Sequence, residues 1–158
     1  MKNYVILTLS LVLGVSTVFA HTPEEQKIDA IKRIYQEAQN KKLDVLDQKY
    51  ATPAFAQAIT RQMRYADRFD WQNNDPDNCV ELAPKLIEGN GYIMEDAHMS
   101  MFYSNRKGQV VAELDFGNSD HSRMAFSLVC QGDSCKVDDM IDSFGYSIKD
   151  SILQYCPR

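Results

Sequence analysis

Three aspartates stand in or beside alternating apolar stretches, where a carboxylate could act as a general base. Asp115 lies within such a stretch, and Asp138 and Asp139 directly precede Met140. An aspartate held against apolar side chains has a raised pKa and can accept a proton near neutral pH. Successive strand residues point to opposite faces, so at most one of Asp138 and Asp139 is expected to enter the interior. A solvated or turn-capping carboxylate is the favoured alternative, because aspartate is rarely buried without a partner.

Five large apolar residues form a second candidate site, in this case for an apolar ligand. They alternate along two strand-like segments and could line a cavity between a sheet and its helices: Met99, Met101, Tyr103, Met124 and Phe126. Methionine side chains adapt to ligands of varied shape, which suits such a cavity. Ordinary core packing is the favoured alternative, since alternating apolar residues are usually simply buried.

Metal binding has weaker support in the sequence. The cysteine and histidine spacing matches no zinc pattern. His21, together with His98 or His121, offers nitrogen ligands for copper, but an unliganded terminus is the favoured interpretation. The polar stretch 70–77 offers oxygen ligands for calcium, yet it lacks the EF-hand glycine and glutamate, and a plain turn is favoured. We therefore predict neither a metal nor a cofactor.

The first twenty residues predict export from the cell. Lys2 precedes a mostly apolar run over residues 5–15, and Ala20 ends a small-residue stretch that suits signal peptidase. The run is too short for a permanent membrane span, so the mature form is expected to begin at His21 and to carry no span. We expect residues 1–20 to be a signal peptide, residues 21–158 to form one domain, and the protein to be periplasmic or secreted.

The four cysteines predict two disulfides, because exported domains are oxidised. Cys130 and Cys135 flank a Gln-Gly-Asp-Ser turn and can meet across a hairpin. That pairing leaves Cys79 to bind Cys156 and to join the end of the chain to its middle.

The charge balance argues against two classes of partner. The chain has a net charge of −5, and because the leader contains only one charged residue, Lys2, the mature form carries −6. Binding to nucleic acid or to anionic lipid depends on clustered Lys and Arg that release counterions. We therefore predict no nucleic acid partner.

The N-terminal half of the mature chain predicts helices. Thr22 with Pro23 and Thr52 with Pro53 each combine a cap residue with a proline suited to a first turn. Apolar residues then recur at three- and four-residue steps, to about Asn40 in the first helix and about Phe69 in the other. A short helix is expected between them, through Leu43, Leu46 and Tyr50.

The C-terminal half predicts strands, because the apolar period changes from 3.6 to 2. Four alternating segments are separated by turn residues between position 97 and position 141. Ser147 is placed to cap a short closing helix that ends near Cys156. The predicted fold class is α+β: N-terminal helices packed on a curved four-stranded antiparallel sheet, with a short C-terminal helix.

This order of elements resembles the cone-shaped nuclear-transport-factor-2-like superfamily, and more narrowly an uncharacterised family of exported bacterial proteins with that fold. The resemblance covers nearly all of the mature chain. It is carried by Ile34-Tyr35, by Tyr50-x-x-Pro53-x-Phe55, by the segment 135–140 and by Gly145-Tyr146-Ser147. The cysteine-bounded hairpin departs from the usual pattern of the narrower family and should stiffen the last two strands.

The resemblance implies two classes of function, because the superfamily contains both enzymes and non-catalytic binding domains. We favour an exported, non-catalytic binding module of the bacterial cell envelope that engages a protein partner or a small apolar ligand. One specific form is an immunity protein that neutralises a toxin. The alternative is a small isomerase, dehydratase or hydrolase whose carboxylate base lies in the cone. The resemblance also implies a homodimer with its sheets back to back.

Overall fold

The computed structural model of the chain describes residues 22–69, 78–88, 92–97, 99–117 and 119–157. The predicted leader, the polar stretch 70–77, His21 and His98 lie outside these residues. The described part has the predicted α+β class: helices come first, a curved four-stranded antiparallel sheet follows, and a short helix ends the chain.

The N-terminal helices begin where their cap residues predict. Helix α1 spans Pro23–Lys41, and the Thr22 hydroxyl accepts from the amide of Glu25 while the Glu25 carboxylate accepts from the amide of Thr22. Helix α2 spans Pro53–Ala66, and the Thr52 hydroxyl caps it by accepting from the amide of Phe55.

The short elements between the helices and the sheet differ in part from the prediction. The helix expected through Leu43, Leu46 and Tyr50 is reduced to a single 3-10 turn, Gln48–Tyr50. The backbone amide of Leu46 donates instead to the carbonyl of Pro84, which draws this segment away from helical geometry. Helix α3 (Asn78–Glu81) and a second 3-10 turn (Met94–Asp96) follow.

The sheet is a meander in which each strand pairs with the next one along the chain. Its strands are β1 (Met99–Ser104), β2 (Val110–Gly117), β3 (Asp120–Gln131) and β4 (Ser134–Ile141). The outer edge of β4 is partly covered, because Ala51 pairs with Val137 and Ser147 pairs with Ile141. These contacts protect an edge that would otherwise expose backbone groups, and they bring the starts of α2 and α4 (Ile148–Tyr155) to the same strand.

The hydrophobic core lies between one face of the sheet and the helices. Phe55 from α2 and Phe126 from β3 are fully buried, as is Ile152 from α4. The ring of Tyr35 in α1 packs edge-on against Phe126, with 5.9 Å between ring centroids. The hydroxyl of Tyr35 donates to the carbonyl of Leu86 at 2.8 Å, which satisfies its one buried polar atom.

Both predicted disulfides are present. Cys130 and Cys135 pair across the β3–β4 hairpin, with 4.0 Å between their Cα atoms. Cys79 of α3 pairs with Cys156 directly after α4, with 4.9 Å between Cα atoms, and both residues are buried. The second bridge holds the C-terminal end of α4 against the rest of the domain.

Candidate functional site

The five residues predicted to line an apolar pocket do not share one face of the sheet. Met124 and Phe126 lie in the core. Met101 is 53% exposed on the sheet face away from the core. On that same face, the hydroxyl of Tyr103 donates to the Glu113 carboxylate at 2.6 Å. The side chain of Met99 lies outside what the structure describes. Among the described residues, core side chains fill the interface between the sheet and the helices. The residues predicted to line the pocket are divided between the two faces of the sheet.

Phe102, rather than Met101 or Tyr103, is the large side chain of β1 that faces the helices. Its ring lies 5.4 Å from that of Tyr35, centroid to centroid. Phe102 pairs with Ala112, which in turn pairs with Met124, so these three side chains share the core face. The prediction had the correct period for this strand but the opposite face.

Asp115 lies on the face of the sheet away from the helices and stabilises a turn. Its carboxylate accepts from the amide of Gly117 at 2.8 Å and lies 3.8 Å from Nδ1 of His121. Its neighbour Leu114 is buried on the core side. Asp115 therefore has the turn-capping role that the sequence favoured over catalysis.

Asp138 and Asp139 lie together at the covered edge of β4. Ser127 of β3 pairs with Asp139 and Leu128 pairs with Val137, which makes Asp138 the extra residue of a β-bulge. Because of this bulge, the buried neighbours Val137 and Met140 both face the core although three positions separate them. Both carboxylates are partly buried at this edge, where they contact the starts of helices.

The two carboxylates bind the starts of two helices. Asp138 accepts from the Thr52 hydroxyl at 2.8 Å and from the Lys149 ammonium at 2.7 Å. Asp139 accepts from the backbone amide of Lys149 at 3.0 Å, in the first turn of α4. A carboxyl oxygen is favourable there because it satisfies an amide that has no partner within the helix. This polar cluster therefore fixes α2 and α4 to β4.

The two carboxyl groups differ in pKa. Hydrogen bonds from Lys149 and then Thr52 lower the pKa of Asp138 below its ordinary value of 3.8. Burial raises the pKa of Asp139 above the same value, against the opposing hydrogen bonds of Ser147 and Lys149. The negative charge of Asp138 thus stabilises the fold, whereas ionisation of Asp139 costs stability.

We expect opposite results from two neighbouring isosteric substitutions. Near pH 7, Asp138→Asn should lower the free energy of unfolding by about 1 kcal/mol, a modest value because this ion pair is partly exposed. Asp139→Asn should be neutral or stabilising, because the amide oxygen still accepts from Lys149 and no charge is buried. Urea unfolding of the wild-type protein and both variants measures these changes.

The pH dependence provides the control for this pair of variants. Stability from Asp138 is present above about pH 4 and is lost as the pH falls through its lowered pKa, so the Asp138→Asn deficit should shrink near pH 3. The cost of ionising Asp139 grows as the pH rises from about 4 through its raised pKa. A deficit for Asp138→Asn that is the same at both pH values would contradict this assignment.

A short aromatic loop connects β4 to α4 and is held by its own hydrogen bonds. In this loop, Asp142–Tyr146, the amide of Asp142 donates to the carbonyl of Tyr146 at 3.0 Å, and the amide of Tyr146 donates to the Asp142 carboxylate at 2.7 Å. Gly145 has a φ of 90°, a conformation that L side chains rarely adopt. The amide of Ser143 donates to Glu88 at 2.8 Å, which fixes the loop to a neighbouring segment.

This aromatic loop displays two aromatic side chains to solvent. Phe144 is 85% exposed and Tyr146 is 68% exposed. Tyr146 was part of the resemblance motif, but Phe144 was not singled out in the sequence. The available signal was an aromatic pair within a segment of turn-forming residues, Asp-Ser-Phe-Gly-Tyr-Ser, where core packing is not expected.

The helix that follows the aromatic loop is fixed at both of its ends. The first turn of α4 binds Asp138 and Asp139, and the Ser147 hydroxyl caps the helix by accepting from the backbone amide of Asp150 at 2.9 Å. Cys156 at the other end is covalently joined to Cys79. The loop therefore projects from a rigid base.

A second polar cluster surrounds Glu37 on α1. Its carboxylate accepts from Lys41 at 2.6 Å and also from the Lys49 ammonium and the Tyr50 hydroxyl. These hydrogen bonds, the one from Lys41 first, lower the pKa of Glu37 to about 2. A carboxylate that stays ionised and paired is a poor general base near neutral pH, and the cluster joins α1 to the turn Gln48–Tyr50.

No group of three metal-ligating side chains occurs among the residues that the structure describes. Of the residues considered for copper and calcium, only His121 is described, and its partner is Asp115. Within the same described ranges, no helix is both long and apolar enough to cross a bilayer.

Comparison with known proteins gives no relative for this chain. No family model, curated protein or solved structure matches it.

Proposed function

We propose that the protein is an exported, non-catalytic binding module that engages a protein partner through the aromatic loop Asp142–Tyr146. The exposure of Phe144 and Tyr146 on a hydrogen-bonded loop is the observation that carries this proposal. Large aromatic side chains contribute most of the binding energy at many protein interfaces, and Tyr is enriched at their centres. The protein-partner form is preferred to the apolar-ligand form, because Met124 and Phe126 are used in the core.

The geometry of the loop favours tight binding. Association is costly when mobile side chains and loops must be ordered. Here the backbone is already fixed by Asp142 and by the contact of Ser143 with Glu88. The cost of ordering this surface is therefore largely met before a partner arrives.

The charges near the loop favour a basic partner. Asp142 and Glu88 lie at its base, and Asp150 follows in the first turn of α4. Lys149, the nearest cation in the sequence, is paired with Asp138. Carboxylates around an aromatic centre accelerate association with a positively charged surface. A basic toxin delivered into the envelope would have the complementary charge, which supports the immunity-protein form of the proposal.

The compartment and the evolutionary relationship belong to the same proposal. The two disulfides are compatible with an oxidising compartment, and a leader over residues 1–20 would deliver the chain there. The order of helices and strands supports a place in the nuclear-transport-factor-2-like superfamily. The homodimer implied by that resemblance stays a prediction.

We expect the double variant Phe144→Ser, Tyr146→Ser to lose its partner while remaining folded. Immobilised wild-type protein is used to capture proteins from an envelope extract, and each captured protein is then purified and titrated by calorimetry. Truncating two aromatic anchors should weaken the affinity of the true partner about thirtyfold or more. Both residues are exposed, so the unfolding midpoint should hardly change.

The matched control removes exposed apolar side chains elsewhere on the surface. Met101→Ser, Val129→Ser replaces two residues that are 53% and 49% exposed and lie outside the loop. This variant should bind the partner as the wild-type protein does. If the loop variant binds with unchanged affinity, or if the control loses as much, the aromatic loop is not the binding surface.

A further inference from the structure

We propose that a groove between α2 and the C-terminal end of α4 is a second binding site, for an acidic peptide segment of a partner protein. The groove has a volume of about 860 Å³. Three arginines of α2 and the turn after it line one side: Arg61, Arg64 and Arg68. This site differs in position and in charge from the acidic aromatic loop at the other end of α4.

The arginines form one cationic stripe because of their spacing. Positions three, four and seven residues apart lie on the same side of a helix. Arg61 and Arg64 lie about 4.5 Å apart along the axis of α2, and Arg68 follows in the turn directly after the helix. The stripe can therefore meet several negative groups along an extended ligand.

The stripe is available to a ligand. Arg64 and Arg68 are exposed. Among the described residues, no carboxylate lies within 4.0 Å of a nitrogen atom of any of the three guanidinium groups. Nε of Arg61 donates to the carbonyl of Pro157 at 2.9 Å, so this side chain is oriented without being neutralised. A guanidinium group with free donors binds carboxylates in paired hydrogen bonds.

The remaining lining of the groove is mostly apolar. Ala54 and Ala58 leave space along α2, and Leu153 and Pro157 form part of the wall. Leu153 is 50% exposed, which gives a ligand an apolar surface to cover. The groove thus suits a segment that combines acidic and apolar side chains.

The dimensions favour a peptide over a small anion. Within α2 the lining runs from Ala54 to Tyr65, which corresponds to about 17 Å along the helix axis. A single inorganic anion would contact only one part of such a groove. The volume lies in the upper range of ligand pockets, and a lining of this length can contact several consecutive residues of a peptide.

The net charge of the protein favours a peptide over a membrane. The chain carries −5, so a broad anionic bilayer would face mostly negative surface. Charges are screened beyond about 8 Å at physiological salt, so a narrow peptide in the groove experiences mainly the three arginines. The same argument explains how an acidic protein can bind an acidic segment.

The test titrates the folded protein against a fluorescein-labelled peptide of alternating Leu and Glu pairs, with the 14-residue length of α2. Anisotropy is recorded at about 0.15 M salt, where surface charges are already partly screened. We expect binding that weakens with added salt. The variant Arg64→Gln, Arg68→Gln should bind about tenfold more weakly, while its circular dichroism stays unchanged.

Three controls make this result specific. Arg106→Gln, Lys107→Gln removes two exposed cations from the β1–β2 turn and should leave affinity within about twofold. The loop variant Phe144→Ser, Tyr146→Ser should bind the acidic peptide normally, which separates this site from the proposed function. A peptide with Lys in place of Glu should not bind.

Several outcomes would overturn the proposal. Equal binding of the Lys and Glu peptides, or unchanged affinity in the Arg64→Gln, Arg68→Gln variant, would show that the arginine stripe is not the site. Arginine-dependent binding to phosphatidylglycerol vesicles without peptide binding would assign the groove to a membrane surface instead.

Discussion

Replacing Phe126 with Ala should lower the free energy of unfolding by about 4 kcal/mol. The side chain of Phe126 is fully buried, packs against the ring of Tyr35 and lies beside its strand partners Val110 and Met140. Truncation removes buried apolar area and leaves a cavity that close-packed neighbours cannot fill. Urea unfolding followed by circular dichroism measures the loss, and a domain of this size should still fold.

Met101→Ala is the matched control for Phe126→Ala. The sequence placed both residues in one apolar pocket, but Met101 is 53% exposed on the other face of the sheet. Its truncation should change stability by less than about 0.5 kcal/mol. Similar small losses in both variants would mean that Phe126 lines an open cavity, which would favour the apolar-ligand form of the function again.

The different positions of Met101 and Phe126 show what alternation along a strand can and cannot predict. In β1, the sequence Met-Ser-Met-Phe-Tyr-Ser has large residues on both faces, so the period identifies a strand without identifying its inner face. Which face of β1 points inwards depends on the contact between Phe102 and Tyr35, and these two residues are far apart in sequence.

Features that depend on neighbouring residues were predictable. Thr22, Thr52 and Ser147 cap their helices as expected, because the hydroxyl and the amide it binds are three residues apart. The Cys130–Cys135 bridge is equally local, since one turn brings both residues together. The second bridge then followed by elimination.

Features that depend on three elements meeting were not predictable. The bulge at Asp138 requires the pairing of β4 with β3 and the arrival of α2 and α4 at its free edge. Without the bulge, regular alternation predicts that one of the two aspartates points inwards. The arginine groove was missed for a similar reason: its stripe is visible along α2, but its other wall, Leu153 and Pro157, comes from the end of the chain.

Removing the two disulfides one at a time should give unequal losses of stability. Cys79→Ala, Cys156→Ala should lower the free energy of unfolding by about 4 kcal/mol, because the bridge restricts a long loop of the unfolded chain. The Cys130–Cys135 bridge closes only a short hairpin loop, so Cys130→Ala, Cys135→Ala should lower the free energy of unfolding by about 2 kcal/mol. Alanine is chosen since Cys79 and Cys156 are both buried, where a serine hydroxyl would need a partner.

Urea unfolding of the two double variants and the wild-type protein measures this difference. Equal losses would contradict the loop-length argument and would indicate that the unfolded chain already keeps residues 79 and 156 close together. The long-range bridge also fixes the end of α4, whose Leu153 and Pro157 line the arginine groove. The Cys79→Ala, Cys156→Ala variant should therefore weaken binding of the acidic peptide under conditions where it remains folded, whereas the Cys130→Ala, Cys135→Ala variant should not.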